Sequence, residues 1–170
     1  MQVVHEISPV YNSESTVLIL GSMPSVASRK AGFFYMHPQN RFWQVMSEVF
    51  SETFVHKNNS VDKEAAIAER KEFLLRHKIA LWDVLAECEI KGSQDSSIKQ
   101  AIPNDFTQII ADSKIRQIFC TGKTAFLLYQ KHCGALYDVP FDYLPSTSPA
   151  NQTWSKEKLI EEYRNKLIYF

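Results

Sequence analysis

The chain has 170 residues, 45% of them hydrophobic, and lysine plus arginine equals aspartate plus glutamate at 19 each. That length lets one compact domain bury a core without metal or disulfide staples. Three widely spaced cysteines, Cys88, Cys120 and Cys133, with no Cys-x-x-Cys pair, argue against a disulfide framework and a structural zinc site. Zero net charge gives no compositional sign of a polyanion partner, so a nucleic-acid binder of this composition must gather its basic groups on one face. Met1 to Val10 contains His5 and Glu6 and lacks the basic start and apolar core of a secretion signal. No apolar run approaches the roughly 20 residues that span a bilayer. A reduced, cytoplasmic setting without membrane contact is the expectation.

In chain order, Val17-Leu18-Ile19-Leu20, ending at Gly21, is the first clear strand, and a long loop runs from Ser22 to His37. Pro38 suits the first turn of a helix, and Phe42, Val45, Met46, Val49 and Phe50 recur at helical spacing, which predicts a helix over Pro38–Phe50. Asn58, Asn59 and Ser60 form a polar break before a charged amphipathic helix over Asp62–His77. Strand two is Ile79-Ala80-Leu81-Trp82. Glu87 to Ser97 is polar and irregular, and Pro103-Asn104 opens a short helix through Ile110. Ile115 to Cys120 is strand three, Gly122 opens a helix that Gly134 ends, and Val139 to Leu144 is strand four. Ser155 caps a last helix with Leu159, Tyr163 and Leu167 on one face. This alternation predicts an α/β fold with a parallel sheet flanked by helices. In such sheets ligands bind beyond the carboxyl ends of the strands, so the loops that start at Gly21, Asp83, Thr121 and Pro145 should carry the site.

Two of those loops carry long motifs. The first strand runs into Gly21-Ser22-Met23-Pro24-Ser25, followed by Gly32-Phe33-Phe34-Tyr35-Met36-His37-Pro38-Gln39-Asn40-Arg41-Phe42-Trp43. The last strand runs into Leu144-Pro145-Ser146-Thr147-Ser148-Pro149-Ala150-Asn151. These stretches resemble the first and second motifs of the uracil-DNA glycosylase superfamily, with the closest likeness to its deoxyinosine (hypoxanthine-DNA) branch and a relation to the mismatch-specific uracil and thymine glycosylases. Ile79 to Asp83 resembles the family's middle strand, and Gly92 to Ile98 the segment after it. The resemblance implies a three-layer α/β/α sandwich around a four-stranded, mainly parallel sheet, in one domain over the whole chain.

It also implies a chemistry. A base inside a duplex is out of reach, so such an enzyme flips the nucleotide into a pocket and holds the base by its edge and by stacking. Breaking the sugar–base bond develops oxocarbenium character on the sugar and negative charge on the base, which groups in the site must stabilise. The resemblance makes Tyr35 the stacking aromatic and Asn40 the catalytic amide; without it, Tyr35 reads as a core aromatic and Asn40 as a residue bonding its own helix start. Gly21, Ser22 and Met23 fall to the wall of the base pocket. Met23 is a departure: other branches carry a water-activating Asp or Asn there, and the deoxyinosine branch shares the change. Ser146 stands where relatives carry a His or Asn that stabilises the leaving base. Asp83 either reads the base edge or caps its strand, and His37 either contacts the base or fixes its loop. Thr147 and Ser148 suit phosphate contacts, and Pro149, Ala150 and Asn151 match the loop that enters the minor groove, with Ala150 a small wedge. Arg29, Lys30, Arg41, Lys123, Lys156 and Lys158 lie near the site loops and are candidates for the local positive face.

Other chemistries fit less well. Gly122-Lys123-Thr124 lacks the earlier glycine of a P-loop, since that position is Gln117, no Gly-x-Ser-x-Gly elbow occurs, and paired Cys ligands of a zinc deaminase are absent. The sequence therefore points to a monomeric, cofactor-free and metal-free glycosylase whose partner is DNA carrying a damaged or deaminated base. The alternatives are a uracil-directed or mismatch-directed glycosylase and, because of Met23 and Ser146, an inactive relative that only binds altered DNA or a nucleobase.

Overall fold

Residues 1–57 and 61–170 are described by a computed structural model, so the predicted polar break at Asn58, Asn59 and Ser60 lies outside the described residues. In chain order the elements are β1 (Gln2–Val4), β2 (Val17–Gly21), α1 (Val26–Ala31), α2 (Phe42–Val49), α3 (Lys63–Arg76), β3 (Ile79–Asp83) and β4 (Leu85–Glu89), then a 3-10 turn at Asp95–Ser97. β5 (Lys99–Pro103), α4 (Thr107–Ala111), β6 (Gln117–Thr121), α5 (Lys123–Cys133), β7 (Phe141–Leu144) and α6 (Lys156–Leu167) complete the chain.

The main sheet has four strands in the order β3-β2-β6-β7, every neighbouring pair parallel. All five residues of β2 are buried, as a central strand covered on both faces requires. Because side chains alternate across a strand, Val17 and Ile19 pack toward α2, α3 and α6 beside Phe42, Met46, Phe73, Leu74 and Tyr163. Leu18 and Leu20 pack the other way, against Phe106, Ala125, Tyr129 and Cys133 from α4, α5 and their flanks. The result is the expected α/β/α sandwich. Among the described residues no helix is long and apolar enough to cross a membrane.

Several boundaries differ from the sequence reading. The helix predicted from Pro38 begins at Phe42. Pro38 instead sits in a turn closed by the Asn40 N–H on the His37 carbonyl (3.0 Å), a place its fixed φ favours. The loop from Ser22 to His37 contains α1, whose first turn is capped by Ser25 Oγ accepting from Ser28 N–H (3.1 Å). Six residues are too few to show a helical period in sequence.

The stretch from Glu87 to Ser97 is irregular only in part: Glu87–Glu89 belongs to β4, and loop and turn follow up to the 3-10 turn at Asp95–Ser97. β4 pairs with β1 and β5 in an antiparallel three-stranded sheet, and register shifts between Leu85, Glu87 and Glu89 break the alternation that would have revealed it. Pro103 ends β5, and the short helix starts later, at Thr107, whose N–H donates to Asp105 Oδ1 (2.9 Å). The last two sheet strands are shorter at their starts, at Gln117 and Phe141. α3, α5 and α6 lie where the sequence puts them, with Asp62 and Ser155 as side-chain caps.

Candidate active site

The four parallel strands end at one place. Gly21 lies opposite Asp83 in the β2–β3 register, and Thr121 opposite Leu144 in the β6–β7 register. Gly21, Asp83, Thr121 and, just past β7, Ser146 line a cavity of about 870 Å³. Tyr35, His37 and Asn40 line it from the first motif, and Thr147 to Asn151 from the second. Ser22 and Met23 complete one wall, facing Ser93–Ser96. Every residue that the sequence reading placed in the pocket, the catalytic pair or the inserting loop is therefore at this cavity, except Lys123, which is exposed at the start of α5 and does not line it.

Tyr35 is held from two sides. Its ring stacks on Phe42, with centroids 4.0 Å apart and planes at 15°, and its hydroxyl shares a 2.7 Å hydrogen bond with Thr121 Oγ1. Its φ of 54° is in the left-handed region that bulky residues rarely adopt, so these contacts hold a strained backbone. Burial, and then the negative charge of Asp83, push the phenol pKa up, so the group stays protonated. An aromatic fixed this way offers its ring to the cavity as a shelf.

Asn40 is held more tightly still. Its Oδ1 accepts from the Phe42 N–H (2.9 Å) and from Thr147 Oγ1 (2.9 Å). A backbone N–H only donates, which settles which amide atom faces it, and two donors occupy both lone pairs of that oxygen. Asn40 lines the cavity with its Oδ1 engaged, which leaves Nδ2 as the amide's remaining polar atom, a donor. The helix-start role is filled by the amide oxygen, at a residue that also borders the cavity.

The second motif hangs on Arg41. Its N–H donates to the Thr147 carbonyl (3.1 Å), and its guanidinium donates to the carbonyls of Ser148 (2.9 Å), Asn151 (3.0 Å) and Trp154. Ser146 Oγ accepts from the Ser148 N–H (3.1 Å), which leaves its proton free to donate elsewhere. Asn151 Nδ2 closes the loop on the Ser146 carbonyl (2.9 Å). Gly122, at φ 90°, adopts a conformation that residues with a side chain rarely take, next to Ser146.

On the opposite wall, Gly21 has no room for a side chain. A Cβ would stand 2.5 Å from Asp83 Oδ1 and 3.2 Å from Tyr35 Oη. Asp83 is buried, and its Oδ2 lies 2.8 Å from His5 Nε2. Ser22 Oγ donates to Asp95 Oδ1 (2.7 Å). Asp95 is exposed as a whole residue, yet crowding around its carboxyl raises the pKa above the usual carboxylate range; the Ser22 hydrogen bond works against this rise and the Asp83 charge adds to it. His5 and Asp95 were both missed in sequence. The one signal for Asp95 was its place in Gly92–Ile98, and nothing marked His5.

The candidate basic face is partly spent. Arg29 donates to the carbonyls of Pro24 (2.7 Å) and Gly92 (3.3 Å), and Arg41 binds carbonyls of the second-motif loop, so both act as braces. Lys30, Lys123, Lys156 and Lys158 are exposed. The three cysteines are free and buried, and burial raises each thiol's pKa, for Cys133 to about 11.

Fold and site together define an α/β/α protein with an aromatic-walled cavity beyond the ends of its parallel strands. The pattern of the Uracil DNA glycosylase superfamily matches residues 8–168, and the chain belongs to that superfamily. It is 31% identical over 153 residues to a hypoxanthine DNA glycosylase of Methanosarcina acetivorans, covering 89% of this chain and 90% of that one. It is 33% identical over 99 residues to a hypoxanthine DNA glycosylase of Methanosarcina barkeri, covering 58% of each. The solution NMR structure of a Methanosarcina acetivorans protein assigned to the uracil DNA glycosylases superposes with a TM-score of 0.74 at 27% identity, over 97% of this chain and 98% of that one.

Proposed function

We propose that this protein is a monofunctional DNA glycosylase of base excision repair that everts a deaminated base, hypoxanthine first, and hydrolyses its bond to deoxyribose. The observation that carries this reading is Asn40: an amide that lines the cavity shared by Tyr35 and Ser146, with its carbonyl fully engaged and its Nδ2 left as a donor. The two relatives named as hypoxanthine DNA glycosylases support the choice of base.

In this reading the everted base lies along Tyr35, and the 146–151 loop approaches the gap it leaves. As the glycosidic bond stretches, its electron pair moves onto the base, where Asn40 Nδ2 and the Ser146 hydroxyl donate hydrogen bonds to the growing charge. With both lone pairs of Oδ1 occupied, Asn40 acts as a donor to the leaving group and not as the acceptor that draws a proton from water. Water then adds to an oxocarbenium-like sugar carbon and gives up one proton, taken by the departed base anion or by solvent, so no strong base is needed. Among the described residues no lysine lines the cavity, which supports hydrolysis to an abasic site over imine chemistry and strand cleavage.

The test is a panel of duplexes carrying hypoxanthine, uracil, xanthine or a thymine mispair, incubated with the wild type and with Asn40→Ala, then treated with alkali to cut abasic sites. Release of hypoxanthine by the wild type, sharply slowed in the variant, is expected. Absence of any base release from a folded wild-type protein would leave a binding protein.

A further inference from the structure

His5, just past β1, and Asp83, at the end of β3, are 78 residues apart, yet their side chains are 1% and 5% exposed and meet at 2.8 Å. The Ile7 N–H donates to His5 Nδ1 (3.2 Å). Since a backbone N–H only donates, Nδ1 is the acceptor nitrogen, and the proton of the neutral ring sits on Nε2, aimed at Asp83 Oδ2. The imidazole is wedged between Phe34 and Trp82, with centroids 6.2 and 6.1 Å away, and the Trp82 indole N–H donates to the Ile7 carbonyl (3.0 Å). That leaves Oδ1, beside the bare Cα of Gly21 and near the Tyr35 hydroxyl, as the carboxylate oxygen open to the cavity.

We propose that His5 is a positioning residue for base selection: by occupying Oδ2 it makes Asp83 a single, oriented acceptor for one ring N–H flanked by only one carbonyl, the lactam edge of hypoxanthine. The proposal rests on the reading of the cavity as a base pocket. Four edges are sorted by it. Adenine presents a bare ring nitrogen at the same place, and two acceptors facing each other repel. Uracil, thymine and xanthine present an imide N–H between two carbonyls, so the anionic oxygen meets a repelling dipole on both sides, where hypoxanthine has one carbonyl and one C–H. Guanine adds an amino donor beside its ring N–H, and the second carboxylate oxygen it would seek is buried and turned toward His5. A site built on one buried acceptor penalises each mismatch, because a buried polar group is left unpaired.

Single-turnover rates on hypoxanthine and uracil duplexes, and their ratio, test the idea. His5→Leu should lower the hypoxanthine-to-uracil ratio at least about tenfold, equivalent to ~1.4 kcal/mol. His5→Gln, whose amide can still donate to Oδ2, should restore most of it. Asp83→Asn, which keeps shape but sets a donor beside an acceptor, should move the ratio toward uracil. A probe needing no variant is a duplex carrying 1-methylhypoxanthine, which has no ring N–H to offer; the wild type should cleave it at least about tenfold more slowly than hypoxanthine. Equal wild-type rates on those two substrates, or rates on hypoxanthine and uracil that fall together in folded His5→Leu, overturn the proposal. If the wild type releases no base at all, it is the glycosylase reading that fails.

Discussion

Thr147 Oγ1 donates to Asn40 Oδ1 across 2.9 Å and a sequence separation of 107 residues, tying the second motif directly to the amide of the first. The bond fixes the amide oxygen of Asn40 in place, so changes on either side should register in the same step.

Asn40→Ala should slow single-turnover base release at least about tenfold, or ~1.4 kcal/mol of barrier. Thr147→Val should also slow it, by less, because the amide loses one of two anchors but keeps the Phe42 N–H. Rapid-quench kinetics on a hypoxanthine duplex measures both, and an unchanged rate in folded Asn40→Ala removes the amide from the mechanism.

Tyr35 separates stacking from hydrogen bonding. Tyr35→Ala should weaken binding of a duplex with an extruded base by about 1–3 kcal/mol. Tyr35→Phe keeps the ring on Phe42 and loses the hydroxyl with its Thr121 bond, so affinity should change far less. Fluorescence titration compares them; equal losses would show that the hydroxyl, not the ring, matters.

Gly21→Ala places a methyl 2.5 Å from Asp83 Oδ1, so the carboxylate or the strand must move. A destabilisation of about 1–3 kcal/mol is expected from overpacking, together with a loss of activity larger than the loss of stability. Urea unfolding beside the cleavage assay distinguishes the two.

Asp95 gives a pH signature. Its pKa is raised in the folded protein, chiefly by burial of the carboxyl, so the fold holds this proton more tightly than the unfolded chain does. The stabilisation linked to that proton is present in acid and lost as pH rises through the folded value. Asp95→Asn should therefore melt higher than the wild type near neutral pH, with the gap closing below the usual carboxylate range. Thermal unfolding at several pH values checks it, and a lower melting point at neutral pH would contradict it.

The parallel sheet and its helices were legible because β2 and β3 are short apolar runs and α3, α5 and α6 carry clear caps or glycine boundaries. The two motifs were legible because each follows a strand's carboxyl end. The small sheet was not: β4 is broken by register shifts, and β1 has only three residues. Nor was the work of Arg41, because a cation beside a DNA-binding loop reads as a phosphate contact until its four carbonyl partners are seen. His5 was hidden for a similar reason, since its partner lies on a strand far along the chain.

The three residues of β1 pair only with β4, at the edge of the small sheet, and His5 follows immediately, its N–H on the Ala86 carbonyl (2.7 Å). Short edge strands fray at lower free energy than central ones. Fraying here would release the imidazole from Asp83 while the parallel strands and Asn40 stay in place. Warming or mild denaturant should thus erode the enzyme's fidelity before its turnover, so that discrimination between lesions is the first property to melt.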